Sequence, residues 1–392
     1  MKNCLPFTAA LLALLANFGC ATTPVTGVVE VPTPRLNIAD VNSMLASGQA
    51  TDKLKFRDLS NLDLSHTDFF GSDLEGAVLT NTNLTGANLS DTRLAGALMR
   101  GATLDNANLH KANLDGADLR SASLKQTELS NTSLKGANLE QAVFDRAMLR
   151  NVKLVGANLS NATIRDSMLI DTDFSAANFT GATIIHAYGL RVNMQGANLE
   201  RASISQTRLP GANLAGARLF RTNMEDCELA GMALPGAYAV EVNLAKSNLS
   251  QAILYGADFS GARLTGAHLD GANMSNANFR EANLAGASLQ DAQLQHADLS
   301  RAVMIGAVLD HADLSGADVR VAVLRQAKLR YAQLRDANFE SAELREADFT
   351  GADFDHANIE SADFYGATFQ NAKNLNTARG RSGARNLDAP NP

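Results

Sequence analysis

Residues 256–285 read GADFS GARLT GAHLD GANMS NANFR EANLA, and the phase of this stretch decides the fold. Its large apolar side chains fall at Phe259, Leu264, Leu269, Met274, Phe279 and Leu284, one in every five, and Ala stands two residues before each. Outward in both directions the phase holds from Leu54 to Phe369, 64 positions, of which all but Gly189 and Ala239 are Leu, Phe, Met, Ile or Val. From Ala252 to Ala367 the smaller position is Ala 24 times in succession. On an α-helix a step of five residues turns through about 500°, which would scatter these side chains around the axis. On a strand, residues two apart share a side, so the Ala and the large residue of one repeat point the same way. The next Ala comes three residues later, an odd step that a straight strand makes only by changing sides. A corner in every repeat resolves the conflict. The chain winds, with two positions of each repeat inward and three outward.

The outward positions suit that reading. Gly often precedes the Ala, as at Gly76, Gly136 and Gly256, where a corner needs positive φ or close backbone approach. Asn and Asp often precede the large residue, and their side chains can bond nearby backbone groups. Coils stacked along one axis then satisfy the remaining backbone groups by ladders at strand-like spacing.

The blocks GANLS, GADFS, GARLT, GAHLD, GADFT and GADFD resemble the signature of the pentapeptide-repeat family, small at the second position and Leu or Phe at the fourth. The resemblance covers residues 54–369. It implies what the period of five does not show: four repeats per coil, a square cross-section and a right-handed superhelix. The expected fold is therefore all-β, a right-handed quadrilateral β-helix over residues 54–371. About sixteen coils at ~4.8 Å spacing would make a rod of about 75 Å.

Composition agrees with a narrow, regular molecule. The 392 residues include no Trp, 5% aromatic and 45% hydrophobic residues, with a net charge of −7. Large rings supply much of the buried area of ordinary cores, whereas disordered chains combine low hydrophobicity with high charge. Neither description fits. The pI of 5.5 argues against a nucleic-acid partner. Three cysteines, Cys4, Cys20 and Cys227, provide no disulfide framework.

The N-terminus reads separately. Lys2, the apolar run Leu5 to Leu15 and small residues near Gly19 make a secretory signal over residues 1–19, too short to span a bilayer. Cys20 after Gly19 resembles the lipobox of bacterial lipoproteins, which implies lipidation at Cys20 and a membrane partner through that lipid. The chain departs from that pattern at Asn17 and Phe18. Gly19-Cys20-Ala21 also reads as the small-x-small site of the ordinary signal peptidase. The expected location is thus an outer-membrane lipoprotein facing the periplasm or cell surface, or a soluble periplasmic protein. Residues 20–36, with Pro24, Pro32 and Pro34, read as an extended tether. Ile38, Val41, Met44 and Leu45 share a helical face, which predicts a short capping helix and lead-in over 37–53. Residues 372–392 read as a disordered basic tail, which leaves the last coil without an evident cap.

No catalytic constellation or cofactor site is expected. His66, His110, His186, His268, His296, His311 and His356 are scattered over outward positions, and Cys227 takes an inward small position, where it should behave as a buried apolar side chain. Gly189 and Ala239 each lack the large core residue; each follows a Tyr, and the next inward small position is enlarged to Val192 or Val242. An empty Leu site costs roughly 2–5 kcal/mol unless filled. The expectation is a local bulge at each, with Leu190 and Val240 helping to fill the volume. Tyr188, Phe220, Tyr238 and Val240 are the candidate interaction residues. Arg320, Arg325, Arg330 and Arg335 form a basic girdle below the acids that run from Asp336 to Asp363, an arrangement that can orient end-to-end or partner contacts. The function expected is a non-enzymatic envelope scaffold or protein-binding rod with an unknown protein partner. Two rods pairing through the C-terminal end would make a homodimer. The alternative implied by the family resemblance is a DNA mimic acting on DNA gyrase.

Overall fold

The computed structural model describes residues 35–46 and 53–387. Isolated parallel bridges join each residue before an inward large position to the residue 20 further on, from Asp58↔Val78 to Asp353↔Lys373. Four pentapeptides therefore make one coil. Among the described residues only Thr163–Arg165 (β1) and Thr183–Ile185 (β2) are extended enough to count as strands, and they pair in parallel in the same 20-residue register. Elsewhere each side of the coil is a single bridge between corners.

One repeat shows why five residues suffice. In Asn83-Leu84-Thr85-Gly86-Ala87, Asn83 N donates down the axis to Leu62 O (2.9 Å), and Leu84 N donates up to Thr103 O (2.7 Å). Thr85 N donates to the Asn83 side-chain Oδ1 (3.1 Å). Gly86 N reaches Asp105 O (2.9 Å), and Ala87 N closes the turn on Leu84 O (3.0 Å). All five N–H groups are satisfied, as a buried or half-buried backbone requires. The corner is a type II turn, whose third residue needs positive φ; Gly86 has φ 65°. Asn or Asp before the large residue supplies the one acceptor that the axial ladders cannot.

Inside, the large and small positions of every coil lie in one continuous core, almost all under 3% exposed. At several small positions that are Thr or Ser the hydroxyl donates to a carbonyl of the coil below, as Thr132 Oγ1 does to Leu109 O (2.7 Å), whereas Thr92 donates to Leu89 O of its own coil. Phe259 stacks on Phe279 at 5.0 Å between centroids. Such offset stacks suit a 20-residue repeat because like lies over like.

The two ends differ from the sequence reading. Helix α1, Ile38–Ala46, is opened by a reciprocal cap in which Asp40 N donates to Asn37 Oδ1 and Asn37 N to Asp40 Oδ2. Val41 is fully buried in the solenoid core, and Met44 and Leu45 pack against it. Ile38, expected on the same face, is 49% exposed. Arg35 and Leu36, assigned above to the tether, belong to the fold instead: Leu36 N donates to Asp58 O (3.0 Å) and Arg35 bridges Asp58.

At the other end, the tail expected to be disordered continues the winding to Leu387. Its bridges lengthen from 20 residues at Asp353↔Lys373 to 21 at Asn358↔Arg379 and 22 at Asp363↔Arg385. The extra residues let Leu375, Ala384 and Leu387 fold over the core beside Phe369. Arg379 Nε donates to His356 O (3.0 Å) and Arg385 Nη2 to Ser361 O (3.2 Å). These guanidinium groups tie the last sides to corners of the coil below.

Candidate functional site: an apolar stripe among unpaired arginines

With 20 residues per coil, positions 20 apart stack in a column on one side. The candidates sort accordingly. Cys20 lies outside the described residues. Tyr188 and Tyr238 are 41% and 43% exposed. Phe220 and Tyr238 meet across adjacent coils with ring centroids 6.3 Å apart, Arg218 lies over Tyr238 at 6.0 Å, and Arg221 over Phe220 at 4.9 Å. Val240, half-buried, sits at the next corner.

The bulges are corrected. Gly189 N donates to Arg208 O (2.8 Å) and Ala239 N to Asp258 O (2.8 Å), and Tyr188 and Tyr238 keep the 20-residue bridge register on both sides. No residue is inserted. A Cβ on Gly189 would come within 2.5 Å of Val192 Cγ2 and 2.6 Å of Leu209 Cδ2, so the enlarged Val and a neighbouring coil already occupy the missing volume. Leu190 and Val240, expected to turn inward, remain half-buried at outer corners.

The girdle is corrected too. Each of its arginines has a carboxylate partner: Arg320 with Asp318 (2.6 Å), Arg325 with Glu343 (3.4 Å), Arg335 with Asp355 (3.1 Å), and Arg330 with the buried Asp310. Burial alone would push Asp310 and Asp318 up, but hydrogen bonds from Arg330 and Arg320 hold both below the ordinary carboxylate value. This belt is neutralised pair by pair.

Reactive groups give no site. The Cys227 thiol is 3% exposed, is pushed up to about 11 by desolvation, and donates to Ile204 O. It is thus a protonated thiol at neutral pH. Among the described residues no group of three or more His, Cys, Asp or Glu is placed to hold a metal.

Sequence reasoning missed a column. Met148, Met168 and Tyr188 occupy successive rungs of one side, bridged to one another, and are 40%, 37% and 41% exposed. Half-buried Ile170, Leu190 and Pro210 form a second column at the adjoining corner. Arg146 and Arg150 flank Met148 on its own rung, Arg165 precedes Met168, and Arg208 bridges Tyr188 from above; all four are exposed. Among the described residues, Arg146, Arg165 and Arg208 have no side-chain hydrogen bond or ion pair. Arg150 only adds to the pull by which Arg191, hydrogen-bonded to Asp171, holds that carboxyl low. The signal available in the sequence was the run of outward Met, Met and Tyr at a spacing of 20.

A solenoid of stacked pentapeptides, with its chemistry on outer faces, defines a class of repeat proteins that are generally structural or binding proteins rather than enzymes. The sequence profile for pentapeptide repeats matches in near-contiguous segments from residue 53 to residue 371. The chain belongs to the pentapeptide-repeat family, whose fold is the right-handed quadrilateral β-helix. No curated protein matches it in sequence. Among solved structures it is similar to HetL, a pentapeptide-repeat protein involved in heterocyst differentiation regulation in the cyanobacterium Nostoc, at 28% identity over 67% of this chain and 96% of that one, with a TM-score of 0.27. It is also similar to full-length QnrB1, a plasmid-mediated fluoroquinolone resistance protein, at 20% identity over 53% and 90%, with a TM-score of 0.22. A third is a pentapeptide-repeat protein of the Arabidopsis thaliana thylakoid lumen, at 25% identity over 33% and 69%, with a TM-score of 0.12.

Proposed function

We propose that the chain is a non-enzymatic protein-binding rod of about sixteen coils at the cell envelope, capped at one end by α1 and held to a membrane by a lipid on Cys20. One observation carries the binding role. Three exposed apolar residues, Met148, Met168 and Tyr188, stack on successive rungs into a contiguous surface, whereas the inward positions stay filled. Apolar outer residues in contiguous patches are the usual mark of an interaction surface. The envelope half rests on residues 1–21 alone: Lys2, the apolar run and Gly19-Cys20.

Labelling cells with palmitate tests the anchor. Incorporation into the wild type and its loss in Cys20→Ser is the expected result; a labelled Cys20→Ser protein, or a full-length chain in the cytosol, removes it. Unlabelled but processed protein in the periplasm supports the soluble alternative.

The DNA-mimic reading, with gyrase as the target, asks for faces that present negative charge throughout. Here Arg146, Arg150, Arg165 and Arg208 crowd one face, and export would separate the protein from gyrase. Homodimerisation through the C-terminal end loses its motive, since residues 372–387 fold over the core there. A pull-down of gyrase by the purified rod is the observation that would restore the mimic.

A further inference from the structure

We infer that the face carrying Met148, Met168 and Tyr188 is the docking surface for an acidic amphipathic helix of a partner protein. The inference deepens the binding-rod reading and rests on it. Three independent features of this face point to the same occupant.

The first is apolar area in a particular shape. The two columns, Met148–Met168–Tyr188 and Ile170–Leu190–Pro210, run along the rod axis with rungs about 4.8 Å apart. Residues three and four apart on a helix are displaced by about 4.5–6 Å along its axis. A helix lying along the rod therefore sets one apolar side chain against each rung. An extended segment advances about 6.8 Å for every same-side residue and falls out of step.

The second is charge. The protein carries a net charge of −7, and many of its arginines are paired with carboxylates of the same or the adjacent coil, including the whole girdle at Arg320 to Arg335. Around this stripe they are not. Arg146, Arg165 and Arg208 have no carboxylate, and Arg150 is left beside Asp171 after Arg191 has taken it. The nearby acid Asp166 lies 3.5 Å from His186, and one oxygen of Asp145 is buried without a partner. A ring of free guanidinium groups around an apolar strip matches a helix with apolar residues on one face and Glu or Asp along its margins.

The third is backbone. On many rungs an Asn or Asp supplies the acceptor for the N–H two residues on, as Asn83 does for Thr85. Met148, Met168 and Tyr188 replace that side chain on three successive rungs. The N–H groups of Arg150, Ile170 and Leu190 consequently have no acceptor among the described residues. The substitution removes a local stabilising bond and leaves three donors in a row at the edge of the apolar strip, where partner carboxylates would accept them.

The test uses the full chain and a fluorescein-labelled 18-residue helical peptide with Leu on one face and Glu on its margins. Binding that falls at least tenfold in Met168→Ser and in Arg146→Glu/Arg165→Glu, but not in Arg320→Glu, is the expected result. All of these positions face outward, and unchanged circular dichroism and melting confirm folding. Equal binding by wild type and by both stripe variants overturns the inference, as does equal binding of a peptide with Lys in place of Glu. Two further outcomes also overturn it: stripe-dependent binding to phosphatidylglycerol vesicles with no peptide binding, which makes the face a membrane contact, and stripe-dependent self-association by light scattering. Failure here leaves the palmitate result for Cys20 untouched, so the two readings fall separately.

Discussion

At the scale of single residues, the solenoid is unforgiving inward and permissive outward, and the exceptions are instructive. Val192 fills the volume that Gly189 leaves, because the next inward position lies only three residues on and its side chain leans into the gap. Gly189→Leu should therefore destabilise the chain by about 1–3 kcal/mol through overpacking. Adding Val192→Ala should recover most of that loss in a double-mutant cycle read by urea denaturation. Additive losses would show that the two sites do not share one space. Val321 is a second exception. Alone among the positive-φ residues of the described part it is β-branched, at φ 60°, on an exposed corner. The left-handed region costs an ordinary residue about 1–2 kcal/mol and an Asn less. Val321→Asn should raise the urea midpoint by an amount equivalent to about 1 kcal/mol, and an unchanged midpoint would mean the corner is unstrained.

Corners, bridges and caps make the next scale. The inward period was legible because burial constrains Leu and Ala absolutely: one slip exposes a whole side. The corner glycines and the Asn or Asp acceptors were legible for the same reason, each answering one backbone group. The columns were not legible in that way. Nothing in five residues says that Met148, Met168 and Tyr188 are neighbours until the 20-residue coil is applied to outward positions as well. Arginine pairing was hidden further still, since partners such as Asp310 and Arg330 meet only across coils. The C-terminal cap escaped notice because its sides exceed five residues and so break the period that would have announced it. Asp310 makes the electrostatics measurable. Its folded pKa is lowered by Arg330, so its contribution is present above the ordinary aspartate value, about 3.9, and is lost as pH falls through the folded value. Asp310→Asn should melt lower at neutral pH and lose less on acidification below about pH 4. A melting profile parallel to the wild type at every pH would show that the pair contributes nothing.

The whole molecule behaves as a stack in which each coil touches only its neighbours, so stability is close to a sum over coils and interfaces. Deleting residues 272–291 removes one full turn and returns every later residue to its own face. Such a chain should keep its circular dichroism and melt within a few degrees of the wild type. Deleting three residues, Ala272 to Met274, throws every later Leu and Ala out of phase, and most of the β signal should vanish with it. If both deletions are tolerated alike, the continuous register is not what holds the rod together.

A ladder that satisfies its backbone along one axis has no length of its own; it stops only where something prevents the next rung. In this chain the two stops are α1 over the first coil and, after Asn371, sides one and two residues too long to present a matching square. Remove both and the upper face of the last coil offers unpaired carbonyls, stacked Phe349 and Phe369 rings and the right geometry for the uncovered lower end of another copy. Such a contact does not close on itself and so propagates. The two end segments together are, on this view, what separates a rod of fixed length from the seed of a filament. A chain reduced to residues 54–371 should scatter light increasingly with time, with a lag that shortens as concentration rises, whereas one that ends at Asn371 but keeps α1 should not.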